Sequence, residues 1–225
     1  MEQKRLTLFA GHYGSGKTNI AVNYALQLAG EGKKVLIGDL DIVNPYFRTK
    51  DSAKELDEAG VELISPQYAN TNVDLPALPA ENYRLVQDKT VFGIMDIGGD
   101  DRGAYALGRY TPFILAENNY RMAFVANCYR PLTRTPEDAL EIMREIEAAC
   151  KLPFTCIINN SNLGPETTPE TVTESEEYIQ KLCRISGLPL WMHTAESRVA
   201  EKLPPMDAPV LSMKLQDKIF DLPTI

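Results

Sequence analysis

Gly11-His12-Tyr13-Gly14-Ser15-Gly16-Lys17-Thr18 follows the pattern G-x-x-x-x-G-K-T, and residues of these types at this spacing bind phosphate. The glycines let successive backbone N–H groups converge on phosphate oxygens. The lysine reaches the terminal phosphates, and the hydroxyl behind it can ligate Mg²⁺. An apolar run, Leu6-Thr7-Leu8-Phe9-Ala10, empties straight into the loop, and Asn19 and Ile20 carry on into a helix-forming stretch. Strand, loop and helix in that order are the setting in which the pattern is specific. Gly11 to Thr18, with Asn19, are therefore expected to hold a nucleotide, and Lys17 to act on the reacting phosphate as well.

Hydrolysis further requires a metal environment and a group that orients the attacking water. Asp96 ends the buried-strand run Val91-Phe92-Gly93-Ile94-Met95 and fits a Walker B aspartate, holding Mg²⁺ directly or through water. Behind it, Gly98 and Gly99 leave room for a backbone N–H, that of Gly99, to approach a γ-phosphate. Asp39 and Asp41 flank Leu40 at the end of another strand, and two residues apart on an extended chain they point the same way. Asp41 is assigned the orientation of the water, and Asp39 and Thr18 join Asp96 in the Mg²⁺ shell. A solvated acidic turn is the competing account of the pair. Asn159 and Asn160 follow the strand Phe154-Thr155-Cys156-Ile157-Ile158, where an amide can donate to and accept from the N6/N1 edge of adenine. The guanine-reading N-K-x-D pattern is missing there, so ATP is preferred to GTP, though Asn159 to Gly164 also makes a good turn.

The elements that must position these groups alternate. A helix beginning near Lys17 shows Ile20, Tyr24 and Leu28 on one face and closes at Gly30-Glu31-Gly32. The next strand is Lys34 to Gly38, followed by a short helix around Ser52 to Glu58 and a third strand at Val61 to Ile64. Ser65 to Pro79 reads as a long surface loop. Met122 to Asn127 is a further buried strand, and Leu188 to Met192 and Ala208 to Leu211 are the last candidates. Thr135-Pro136-Glu137-Asp138 and Thr168-Pro169-Glu170 each place a capping hydroxyl before a first-turn proline and acids that suit the helix dipole. This alternation predicts one α/β domain over residues 1–225, a three-layer sandwich with a mostly parallel sheet covered on both faces.

The 225 residues are 44% hydrophobic and 24% charged, as in an ordinary globular protein, and no run is apolar for long enough to span a membrane. With no cleavable signal before the first strand, a cytoplasmic location is expected. Cys128, Cys150, Cys156 and Cys183 lie far apart without a C-x-x-C pair and read as buried free thiols. A formal net charge of −8 and no basic patch argue against nucleic-acid binding.

Taken together, Gly11 to Thr18, Asp39-Leu40-Asp41, Asp96-Ile97-Gly98-Gly99 and Asn159/Asn160 resemble the phosphate loop, two switches and base-reading position of the MinD/ParA/CobQ-like P-loop ATPases. That family is grouped with the nitrogenase iron protein and the signal-recognition GTPases in the SIMIBI class. The resemblance implies the P-loop NTPase fold and an ATP-dependent switch with Mg²⁺, often a nucleotide-sandwiched homodimer, that positions another protein or serves cofactor maturation. A small-molecule kinase or an ATP-dependent carboxylate ligase of the dethiobiotin-synthetase kind is the alternative, with Tyr46, Arg48, Arg130 and Arg134 as candidates for its substrate pocket. The chain departs from the family at His12, where the variant loop carries a signature lysine, and at Tyr13, where it carries glycine. Arg48 or Arg102, beside the switch segments, is then the candidate for the missing cation. No membrane-anchoring helix is expected at the C-terminus, because Met213 to Ile219 is short and mixed in charge.

Overall fold

The computed structural model describes residues 2–40, 49–64, 80–99 and 101–216, and only the backbone of Lys50, Asp51, Ala80, Asp101 and Arg102. Asp41, Tyr46, Arg48 and the loop expected over Ser65 to Pro79 lie outside the described residues. Strands form where apolar residues run without a break, as they do when both faces of a sheet are covered. These are β1 (Leu6–Ala10), β2 (Val35–Leu40), β3 (Glu62–Ile64), β4 (Phe92–Ile97), β5 (Tyr120–Ala126), β6 (Cys156–Asn159), β7 (Leu190–Glu196) and β8 (Val210–Met213). They make one sheet in the order β3-β2-β4-β1-β5-β6-β7-β8, with every neighbouring pair parallel.

The helices are α1 (Lys17–Gly30), α2 (Ala53–Glu58), α3 (Tyr83–Gln87), α4 (Asp101–Gly108), α5 (Thr111–Glu117), α6 (Pro136–Cys150), α7 (Pro169–Glu174), α8 (Glu176–Ser186) and α9 (Ser197–Ala200). Both predicted capped starts are present. The Thr135 hydroxyl accepts from the Asp138 amide at 3.1 Å and the Asp138 carboxylate accepts from the Thr135 amide at 3.3 Å. Thr168 and Thr171 make the same reciprocal pair at the start of α7. The helices α3, α4 and α5 were not expected from the sequence.

Strand alternation sorts the core into two layers. Phe9, Ile37, Ile94, Val125 and Ile158 pack against Ile20, Tyr24 and Leu28 of α1 on one face. On the other, Leu8, Leu36, Met95, Phe124 and Ile157 meet Leu107 of α4, Met143 of α6 and Ile179 and Leu182 of α8. By the same alternation Asp39, two residues beyond Ile37, and Asp96, two beyond Ile94, belong to the α1 face. The phosphate loop enters α1 on that side of the sheet.

At the opposite end of the strands a buried charge cluster closes the sheet. Arg5, 8% exposed, pairs through its guanidinium with the Glu117 carboxylate at the end of α5. Its Nη1 donates to the carbonyls of Leu85, Asp88 and Val91 at 3.0, 3.2 and 3.2 Å. Burial alone would raise the Glu117 carboxyl, but the hydrogen bonds and charges of Arg5 and Lys89 outweigh it and hold the group below its ordinary range.

The four cysteines are free, Cys150 and Cys156 buried and Cys128 and Cys183 half-buried. Burial pushes the Cys156 thiol up to about 12 and, with the nearby charge of Asp207, the Cys183 thiol up to about 11. Alkylation of Cys156 by iodoacetamide at pH 8 is therefore expected to run at least about a thousandfold slower in the native protein than in 6 M guanidinium. Mass spectrometry of the modified peptides reads this directly. A raised thiol pKa favours the folded state below the unfolded value, and that contribution is lost as pH climbs toward the folded one.

Candidate nucleotide site

Gly16 is the pivot of the phosphate loop. Its φ of +91° lies in the left-handed region that favours glycine, and it turns the chain into the first turn of α1. A side chain there would meet a neighbour as well: a Cβ on Gly16 would lie 2.2 Å from Nδ2 of Asn160. That amide donates to the Ser15 carbonyl at 2.6 Å, and its Oδ1 accepts from the Thr194 hydroxyl at 2.6 Å. Asn160, 3% exposed, thus ties the loop to the ends of β6 and β7.

The first-turn amides of α1 and the loop glycines face a cavity of about 430 Å³ at the carboxyl ends of the strands, where open α/β sheets bind ligands. Tyr13, Gly14, Gly16, Lys17, Thr18, Asn19 and Asn160 line one side. Arg130, Asn162, Gly164, Pro165, Thr167, the Thr194–Glu196 run, Met213, Leu215 and Gln216 line the rest, most of them along the ends of β6, β7 and β8. The Lys17 ammonium donates to the His12 carbonyl at 3.1 Å. The His12 ring does not line the cavity, and its Nδ1 lies 3.1 Å from the Tyr13 carbonyl.

Asp39 and Asp96 stand directly opposite each other on adjacent parallel strands and are 0% and 1% exposed. Thr49, fully buried in the 3-10 turn before α2, donates its hydroxyl to Asp96 at 3.0 Å. Asp39 and Asp96 are thus two buried carboxylates on the face of the sheet that α1 covers, and Thr18 lies in the first turn of α1. The segment after Asp96 returns to the phosphate loop. A Cβ on Gly99 would lie 2.6 Å from the Tyr13 nitrogen and 2.9 Å from Lys17 Nζ, so glycine is what permits this approach.

No protein-family model matches the sequence, and no curated protein matches it. Solved structures do. The cell division protein FtsY of Thermotoga maritima has a TM-score of 0.63 at 18% identity, over 92% of this chain and 66% of that one. The signal recognition particle receptor FtsY of Elizabethkingia anophelis in complex with GDP has a TM-score of 0.54 at 14% identity, over 97% and 62%. The signal recognition particle 54 kDa protein of Aeropyrum pernix K1, also in complex with GDP, has a TM-score of 0.51 at 16% identity, over 84% and 41%. The chain spans about two thirds or less of the length of these structures, and at such identities the likeness is one of fold.

This is the P-loop NTPase fold.

Two of these neighbours are in complex with GDP. Against that fold, one sequence expectation is corrected. Asn159 is fully buried and does not line the cavity. Its Nδ2 donates to Ser175 Oγ at 2.8 Å and to His193 Nδ1 at 3.1 Å, and its Oδ1 accepts from the Ser161 amide at 3.1 Å. With the amide fully used inside the protein, Asn159 does not face a base. The bond from Asn159 makes His193 Nδ1 the acceptor and leaves Nε2–H to donate to Asp207 at 2.8 Å. Arg134 is exposed and away from the cavity, and the Arg102 side chain lies outside the described residues.

Other site residues had no motif to announce them. Asn127 is fully buried, and its Oδ1 accepts from the amides of Tyr129 and Asn162 at 3.0 and 3.4 Å, joining the turns after β5 and β6. Beyond β8, the Gln216 amide donates to Asn19 Oδ1 at 3.0 Å and its side chain donates to Ser52 Oγ at 2.8 Å. The segment after β8 thereby bridges α1 and the start of α2 along the cavity wall. No helix among the described residues is long and apolar enough to cross a membrane.

Proposed function

We propose that the protein is a Mg²⁺-dependent ATPase whose nucleotide state switches its contact with a partner protein, in protein positioning or cofactor maturation. The observation that carries this reading is the approach of Gly99 to Tyr13 and Lys17. A terminal phosphate held by Lys17 must share its space with the segment that follows Asp96. That segment leads within two residues into α4, whose Tyr105 is 66% exposed. Gain or loss of the phosphate is thus coupled to a surface helix, which is what a nucleotide switch requires.

In this reading the amides of Gly14 to Thr18 and the Lys17 ammonium hold the phosphates, and Asp41 orients the water for in-line attack. Thr18, Asp39 and Asp96 are the residues that would hold Mg²⁺, which when bound neutralises charge developing on the phosphate oxygens. Adenine is favoured because Ser161, Asn162 and Leu163 follow Asn160, so the lysine and aspartate of the guanine-reading pattern are missing. Asn160 would serve as a wall of the cavity and as the brace of the loop.

Purified full-length protein is expected to bind ATP with Mg²⁺ at least tenfold more tightly than GTP, by about 1.4 kcal/mol, in a fluorescence titration. Tighter binding of GTP would overturn the adenine assignment. Asp41→Ala should slow hydrolysis at least about 100-fold while leaving ATP affinity within about threefold. Turnover that persists in this variant would remove Asp41 from its role.

A further inference from the structure

The phosphate loop lacks the permanent cation at its second position, yet an arginine from another element stands against it. Arg130 sits in the turn between β5 and α6 and lines the nucleotide cavity. Its Nε and Cζ lie 3.8 and 4.0 Å from where a Cβ on Gly14 would be. The side chain is half-buried, and its Nε is fully buried with no hydrogen-bond partner among the described residues. Arg5 and Arg121, the buried arginines, are instead satisfied: Arg5 by Glu117 and three carbonyls, Arg121 by the Glu2 carbonyl and the face of Trp191. A guanidinium withdrawn from water without a counter-charge is unfavourable unless an anion completes it.

The turn that carries Arg130 is built to hold it still. The Arg130 amide donates to the Asn127 carbonyl at 3.2 Å, and the Thr133 amide donates to the Arg130 carbonyl at 3.1 Å. The Thr133 hydroxyl donates to the Asn127 carbonyl at 2.7 Å, and Asn127 itself is fully buried. The backbone that carries the guanidinium is therefore held before a ligand arrives, which lowers the ordering cost of using it.

We propose that Arg130 is a phosphate-binding residue, supplying in cis the cation for the phosphate chain of a bound nucleoside triphosphate or diphosphate. This rests on the nucleotide-binding reading above. The fork of an arginine suits phosphate oxygens, and its charge adds to that of Lys17 in the lining of the same cavity. The sequence alone suggested Arg130 only as a contact for a second substrate.

The test compares wild-type full-length protein with Arg130→Met, which keeps the stem without the charge, and Arg130→Lys, which keeps a charge without the fork. Titrations with ATP and with ADP in the presence of Mg²⁺ are read alongside thermal melting with and without nucleotide. Arg130→Met is expected to bind both nucleotides about 10- to 100-fold more weakly, the range for loss of a charged hydrogen bond. Arg130→Lys should recover part of that loss. Without nucleotide, Arg130→Met should melt at or above the wild-type temperature, because a half-buried guanidinium with an unpartnered Nε has gone. Wild-type protein that binds ATP, with Arg130→Met binding it equally well, would overturn the role of Arg130 and leave the nucleotide reading standing. A melting temperature lowered without loss of affinity would make Arg130 structural and also overturn it. A wild-type protein that binds no nucleotide would overturn both.

Discussion

Replacing Gly16 with alanine is expected to weaken nucleotide binding at least about 100-fold, equivalent to about 2.7 kcal/mol. Two separate penalties combine. The left-handed φ of +91° costs a residue with a Cβ about 1–2 kcal/mol. The new methyl group would also lie 2.2 Å from the Asn160 amide, which is not the loose end of a flexible chain. That amide is bonded to Ser15 on one side and Thr194 on the other, so relief requires either the loop or the end of β6 to move. Either movement displaces the backbone N–H groups that converge on phosphate. The same variant should lose about 1–3 kcal/mol of unliganded stability, consistent with strain at a special φ together with overpacking. Equilibrium titration and chemical unfolding check the two effects separately. Near-wild-type affinity would mean that Asn160 is not the rigid brace described above.

Replacing Arg5 with methionine is expected to cost about 3–5 kcal/mol, the largest stability effect anticipated in this chain. The substitution leaves Glu117 mostly desolvated with only Lys89 as a partner, and it strips a donor from two buried carbonyls and a part-buried one. For a domain of this size the loss corresponds to a fall in melting temperature of about 6–20 °C. The sign of its pH dependence follows from Glu117. In the wild type that carboxyl is held below its unfolded value, so its contribution is present above the unfolded pKa and is lost as pH falls through the folded one. The difference between wild type and variant should accordingly narrow as pH falls from about 5 to about 3. A difference that widens toward acid would contradict the pairing. Nucleotide affinity at pH 7 should change little in the folded fraction, because Arg5 and the cavity lie at opposite ends of the strands.

Local signals in the sequence carried much of this structure. The loop between β1 and α1, the aspartates near the ends of β2 and β4 and the capped starts at Thr135 and Thr168 each depend on residues within a few positions of one another, and the elements around them lie where spacing placed them. What escaped depends on contacts between distant segments. The helices α4 and α5 are only 8 and 7 residues long, and tertiary packing of Leu107 and Ile114 decides them. Asn159 and Asn160 are identical in type and adjacent in sequence. Only the fold shows that one amide turns to His193 and the other to the phosphate loop. Gln216 meets Asn19 and Ser52 across most of the chain, and no pattern of neighbours announces such a meeting.

The strand order also bears on synthesis. Leu6 in β1 pairs with Gly93 on one side and Tyr120 on the other, so the strand that leads into the phosphate loop has no strand neighbour until β4 exists and is flanked on both sides only once β5 does. At about 5–20 residues per second the ribosome leaves that apolar run without a strand neighbour for roughly 4–17 s. The brace from Asn160 arrives later still. Nucleotide present during translation therefore cannot act as a template for the early chain. Its stabilising effect is complete only when the end of β6 has emerged, whereas Leu6 to Ala10 can pair on both sides as soon as β4 and β5 exist.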